Sequence, residues 1–208
     1  MTIILTNDDG IDAPGIQALV KVVNNKNVII AAPQEYQSSY GYQVTTHPPI
    51  NLQHRSEVEY KIAGTPADCV TIPIKQICED VKFVLSGINA GVNLGVDAYI
   101  SGTVAAVREA AMHSIPGIAI SLYPKSKLNY DRDLATKWTS EILANLLERP
   151  LEPGGFWNVN LPHLLLGDTD PEVVFFQPCT KPLPVNYRIE GDNFHYGDED
   201  GKRFSEAH

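Results

Sequence analysis

Thr2-Ile3-Ile4-Leu5-Thr6-Asn7-Asp8-Asp9-Gly10 opens the chain, a short apolar strand that runs directly into two adjacent carboxylates. Downstream, Ile16, Leu19, Val20 and Val23 recur at the spacing of a helical stripe, and Val28 to Ala32 form a continuous apolar run ended by Pro33. A strand without polar alternation is buried on both faces, so the three segments predict a βαβ unit in a parallel sheet. In such sheets the loops at the carboxyl ends of the strands converge on one crevice, and Asp8 and Asp9 stand in the first of these loops. Two neighbouring carboxylates repel unless a cation or a raised pKa relieves them. Asn7-Asp8-Asp9-Gly10 is equally good turn chemistry, because Asn and Asp bond their own backbone and Gly accepts positive φ. On the tetrapeptide alone the two readings stand level.

The alternation of strand and helix continues along the chain. Gln43 to Thr46, Asn51 to His54 and Glu57 to Ala63 predict short antiparallel strands broken at Pro48 and Pro49. Thr65 with Pro66 behind it signals a helix start, and Val81 to Leu85 reads as a core strand. A long Gly/Asn-rich loop precedes an Ala-rich helix from Thr103 to His113, then a strand at Ile118 to Ile120. Asp131 to Arg149 is the longest predicted helix, with Leu134, Trp138, Ile142, Leu143 and Leu146 mostly on one face. Phe156 to Leu161 and Val173 to Phe176 are further predicted strands, and from Pro178 the chain is polar and aperiodic. The expected architecture is α/β: a Rossmann-like three-layer sandwich with a mostly parallel sheet. It is read as one domain over residues 1–208, with segments 42–63 and 178–208 as protruding arms or tail.

Composition narrows the function. The chain has 208 residues, 43% of them hydrophobic, which suffices for one large core. A net charge of −9 argues against binding nucleic-acid backbones, which takes lysine and arginine. A small anionic substrate stays compatible, because a local cation overrides the global sign. Met1 leads straight into a strand without a basic region or cleavage site, and no apolar run reaches membrane-spanning length; a cytoplasmic protein without membrane contact is expected. Cys69, Cys78 and Cys179 are odd in number and lack zinc spacing, as in a reducing compartment.

The strand-end loops share one kind of chemistry. Asp8-Asp9, the segment from Gln34 to Gly41 with Ser38 and Ser39, and Ser86-Gly87-Ile88-Asn89-Ala90-Gly91-Val92-Asn93-Leu94-Gly95 all offer oxygen ligands. Such oxygens suit a hard divalent ion, Mg²⁺ or Mn²⁺, and not zinc. Ser101-Gly102-Thr103 opens a helix, where free N–H groups bind anions, although Ser and Thr are also ordinary helix caps.

Together with Gly64-Thr65-Pro66-Ala67-Asp68-Cys69-Val70 and Trp157-Asn158-Val159-Asn160-Leu161-Pro162, these motifs resemble the SurE family of metal-dependent 5′/3′-nucleotidases. The resemblance is close over about residues 2–122. It implies a metal held by Asp8, Asp9, Ser38 (Ser39 adjoins it) and Asn89, and phosphate contacts from Asn93, Ser101, Gly102 and Thr103. It also implies hydrolysis of nucleoside monophosphates, with short polyphosphate as a further substrate. The resemblance further implies a homodimer or homotetramer formed by arm exchange, and the strand-like segments at 42–63 and 178–196 have too little apolar content to pack alone. Two departures stand out. Tyr36-Gln37 replaces a charged residue that many relatives carry before the metal-loop serine, and Gly197 to His208 is acidic and polar where relatives continue into a strand and tail.

The chemistry stands independently of the family. An ion at Asp8, Asp9, Ser38 and Asn89 would keep positions for a water and a phosphate oxygen, with Asp8 or Asp9 as the catalytic group that assists deprotonation. A covalent aspartyl-phosphate fits less well, since adjacent residues of an extended segment diverge. A metal-dependent nucleotide-binding or sensing module without turnover would use the same crevice. A dinucleotide oxidoreductase lacks its Gly-x-Gly-x-x-Gly turn, and a glycosidase needs its carboxyl groups roughly 5 Å or more apart across a scissile bond.

Overall fold

The computed structural model describes residues 2–23, 27–37, 41–123, 132–163, 167–182 and 187–196. Among these described residues nine strands and five helices follow in the order β1 (Thr2–Thr6), α1 (Pro14–Val22), β2 (Asn27–Pro33), β3 (Leu52–His54), β4 (Glu59–Ile62), α2 (Asp68–Gln76), β5 (Val81–Ala90), α3 (Asp97–Ile100), α4 (Gly102–Met112), β6 (Gly117–Leu122), α5 (Arg132–Leu146), β7 (Phe156–Leu161), β8 (Tyr187–Glu190) and β9 (Asn193–Tyr196). Seven strands form one sheet in the order β3-β4-β2-β1-β5-β6-β7, in which only β3 runs antiparallel to its neighbour. The α/β class with a mostly parallel sheet is therefore observed.

Successive side chains of a strand face opposite ways, and β1 divides its apolar residues accordingly. Ile3 and Leu5 pack with Leu19, Val23, Trp138 and Leu143 of the α1 and α5 layer. Ile4 packs on the other face with Cys69, Val70, Ala106 and Ala110 of α2 and α4. Both layers are thus built by a strand that is apolar at every core position. Gly15 brings α1 onto the sheet: a Cβ there would lie 2.0 Å from the Ile88 carbonyl oxygen. The chain leaves β1 toward β2 and β4 on one side, and returns through β5, β6 and β7 on the other. The crevice between the carboxyl ends of β1 and β5 is the switch point where α/β sheets place ligands.

Three sequence expectations are corrected. Gln43 to Thr46 is not a strand, because its backbone is held by side chains: the Thr45 N–H donates to Asp68 Oδ1 at 3.0 Å, and Thr65 Oγ1 donates to the Gln43 carbonyl at 2.6 Å. β5 extends through Ala90, so half of the expected Gly/Asn loop is strand. Gly87 allows it, since a Cβ there would stand 2.4 Å from the Ile120 carbonyl oxygen of β6. Val173 to Phe176 forms no strand and is exposed, Phe176 at 69%. Of segment 42–63, β3 and β4 form the edge of the main sheet, and β8 and β9 make a separate hairpin. No oligomerisation arm is shown.

Candidate functional site

β1 ends at Thr6 and the chain turns at once. The Asn7 side-chain amide donates to the Gly10 carbonyl at 2.8 Å, and the Gly10 N–H returns a bond to Asn7 Oδ1 at 3.2 Å. Gly10 takes φ +103, a value side chains rarely adopt. Neither of these bonds uses a carboxylate. The two competing readings of the tetrapeptide thus fall to different residues, with the turn built by Asn7 and Gly10.

Asp8 is buried and meets the start of α4. Thr103 Oγ1 donates to Asp8 Oδ1 at 2.7 Å, and the Gln37 N–H donates to the Asp8 carbonyl at 2.8 Å. A Cβ on Gly102 would lie 2.7 Å from Asp8 Cβ, so the helix start is pressed against the acid. Asp9 is half-buried, and its carboxyl is pushed up to about 6 by loss of hydration and then by the charge of Asp8. Asp8, Gly102 and Thr103 are thus brought together in one place. Gly102 is needed for the approach of Asp8, before any ligand is considered.

Asn89 and Asn93 flank Ser121 of β6. Asn89 is the register partner of Ser121, while Asn93 Nδ2 donates to Ser121 Oγ at 2.7 Å. Asn89 Nδ2 donates to the Gly91 carbonyl at 2.7 Å. Asn93 is buried and clamped from β7: its N–H donates to Asn160 Oδ1 at 2.8 Å, and its carbonyl accepts from Asn158 Nδ2 at 2.7 Å. Ser121, Asn158 and Asn160 were not among the predicted site residues. Their signal is visible in hindsight: Asn158 and Asn160 alternate on a strand where one face should be apolar.

Ser101 is buried and caps α4, its hydroxyl accepting from the Val104 N–H at 3.2 Å. Capping is thus its observed role. Ser38 lies outside the described residues, as does Ser39. Among the described residues no group of three or more His, Cys, Asp and Glu is clustered as a metal site. No described helix is long and apolar enough to cross a membrane. His113 is tied to Glu109 at 3.0 Å, in keeping with a structural helix-end role.

The protein-family profile described as "Survival protein SurE" matches residues 3–180. A Nostoc sp. protein named "Putative 5'-nucleotidase alr3139" is 72% identical over 203 residues, covering 98% of this chain and 90% of that protein. The 5'-nucleotidase SurE of Clostridium beijerinckii is 37% identical over 173 residues, covering 78% of this chain and 67% of that one. The crystal structure of the SurE protein from Aquifex aeolicus superposes with a TM-score of 0.81 at 30% identity, over 95% of this chain and 81% of that one. By sequence and by fold, the chain belongs to the SurE family.

Proposed function

We propose that the chain is a 5′-nucleotidase that hydrolyses nucleoside 5′- and 3′-monophosphates to nucleoside and phosphate, using a divalent cation, Mg²⁺ or Mn²⁺. The observation that carries this reading is the Thr103–Asp8 hydrogen bond at 2.7 Å, because it joins an acid pair to a helix start. The named relatives that are 5'-nucleotidases support the same reading.

The residues fit a hard cation. Burial and the Asp8 charge both raise Asp9, and no cationic side chain among the described residues offsets them. Two carboxylates side by side favour a cation, and a hard divalent ion takes carboxylate and neutral oxygen donors together. Asp8, Asp9, Asn89 and Ser38 would hold the ion. Once bound, it would neutralise phosphate charge and acidify the attacking water.

The chain itself supplies position. Thr103 fixes the Asp8 carboxylate, and Asp8 or Asp9 would assist deprotonation of the attacking water. The Val104 N–H is capped by Ser101 and the Ala105 N–H bonds the Ser101 carbonyl, so the N–H groups of Gly102 and Thr103 remain at the helix mouth for phosphate oxygens. Asn93, immobilised by Ser121, Asn158 and Asn160, would be a further phosphate contact.

The test is phosphate release from 5′- and 3′-nucleoside monophosphates and short polyphosphate, before and after chelation. Activity lost on chelation and restored by Mg²⁺ or Mn²⁺ is expected. Cation-dependent nucleotide binding without phosphate release would instead establish a sensing module. A homodimer or homotetramer is proposed as well, supported by the exposed β8–β9 hairpin with Ile189 at 62% and Phe194 at 65% exposure. A monomeric mass by light scattering at micromolar concentration would reject it.

A further inference from the structure

Beside the acid loop lies a cavity of about 400 Å³, within the ~300–1,000 Å³ usual for small-molecule sites. Gln34, Glu35, Gln37, Gln43, Thr45 and Thr65 line it. Its walls are held by backbone bonds. The Gln34 N–H donates to the Ile62 carbonyl at 2.7 Å, the Gln37 N–H to the Asp8 carbonyl at 2.8 Å, and the Thr65 N–H to Asp68 Oδ2 at 2.8 Å. Asp68 is itself buried and also accepts from the Thr45 N–H, so one carboxylate joins the two far walls. By contrast, no hydrogen bond among the described residues engages the side-chain amides of Gln34, Gln37 or Gln43.

The charge of the lining says what enters. Glu35 is the charged residue there, and no lysine or arginine lines the cavity among the described residues. A phosphate would be repelled by Glu35, whereas an uncharged group with several donors and acceptors would be matched by three glutamine amides, each offering both. Gln37 ties this cavity directly to Asp8, so a molecule whose phosphate lies at the α4 start would extend its other end here.

We propose that this cavity receives the nucleobase of the substrate, with Gln34 and Gln43 as specificity-determining side chains that hydrogen-bond the base edge. The assignment rests on the nucleotidase reading above and names where the rest of the nucleotide binds. Sites built to hydrogen-bond a substrate discriminate strongly against analogues that lack the partner, because their polar groups are then left unpaired.

The experiment compares nucleoside 5′-monophosphates with ribose 5-phosphate, which keeps the phosphate and sugar and has no base. It is run in the parent and in Gln34→Leu and Gln43→Leu, near-isosteric changes at a half-buried and an exposed position. The parent is expected to prefer the nucleotides. Each variant should lose about tenfold in kcat/KM for the nucleotides, mainly through KM, while staying within twofold of the parent on ribose 5-phosphate. Equal losses on both substrates, no loss on either, or a parent indifferent to the base would overturn the assignment and leave the nucleotidase reading standing. A parent that releases phosphate from none of them would reject both.

Discussion

Thr103 Oγ1 lies 2.7 Å from Asp8 Oδ1, although the two residues are 95 positions apart in the chain. The bond spans the switch point of the sheet, from the loop after β1 to the first turn of α4. Asp8 therefore cannot shift without disturbing the helix start. Thr103→Val removes the hydroxyl at nearly constant shape and leaves a buried carboxylate oxygen without that donor. A stability loss of about 1–3 kcal/mol and a fall in kcat of roughly 10–100-fold are expected, while Thr103→Ser should keep most of both. Urea denaturation and phosphate release measure the two effects. A valine variant with parental turnover would show that the bond does not position Asp8.

Gly102→Ala tests the same contact from the backbone side. Its Cβ would stand 2.7 Å from Asp8 Cβ, closer than side chains tolerate, so Asp8 or α4 has to move. The substitution would be mild in most helices, since alanine is the better helix former. Here overpacking should dominate, with a destabilisation of about 1–3 kcal/mol and a loss of cation affinity seen by calorimetry. An alanine variant more stable than the parent, with unchanged cation affinity, would place Asp8 elsewhere.

The contrast between these residues and the fold shows what the sequence could reveal. β1, β2 and β6 were legible because strands covered on both sides carry near-continuous apolar runs, as Ile3, Ile4 and Leu5 do, and β7 because its apolar residues alternate with Asn158 and Asn160. The second half of β5 was not, because Ser86-Gly87 looks like a loop until Ile120 of β6 is seen at its back. Val173 to Phe176 has strand composition and no partner strand, a tertiary fact that propensity does not contain. In the site, Asp8, Asp9 and the α4 start were visible from local pattern. Their mutual contact was not, since no short-range signal records a pairing 95 residues apart.

The same limit hid the clamp on Asn93. Asn160 accepts the Asn93 N–H at 2.8 Å, and Asn158 donates to the Asn93 carbonyl at 2.7 Å, so β7 fixes a residue that local sequence presents as part of a mobile-looking Gly/Asn stretch. Asn160→Leu keeps the size of the side chain and deletes its acceptor. Turnover of nucleoside monophosphates should fall about tenfold while the melting temperature drops by a few degrees. Unchanged kinetics would remove Asn93 from the substrate contacts.

Asp9→Asn separates charge from shape at the acid pair. In the folded chain without a cation the Asp9 carboxyl titrates at about 6, against 3.8 for an ordinary aspartate, because it is partly dehydrated and beside Asp8. Below pH 4 it is protonated in folded and unfolded chains alike, and its proton-linked contribution to stability is fully present. Between pH 4 and pH 6 the unfolded chain gives up the proton while the folded chain still holds it. That contribution is therefore lost progressively as pH rises through the folded value. Asn mimics the protonated form at every pH. With a chelator present, the variant should melt close to the parent at pH 4 and above it at pH 7.5. The gap should be about 1–2 kcal/mol after allowance for solvent screening at this half-buried site. With millimolar Mg²⁺ or Mn²⁺ the order should invert, because the cation stabilises the charged pair and binds the variant less well. Thermal melts at the two pH values, with and without cation, give all four comparisons. A variant that melts below the parent at pH 7.5 in chelator would mean that Asp9 already has a counter-charge within the protein, and the need for an external cation would disappear with it.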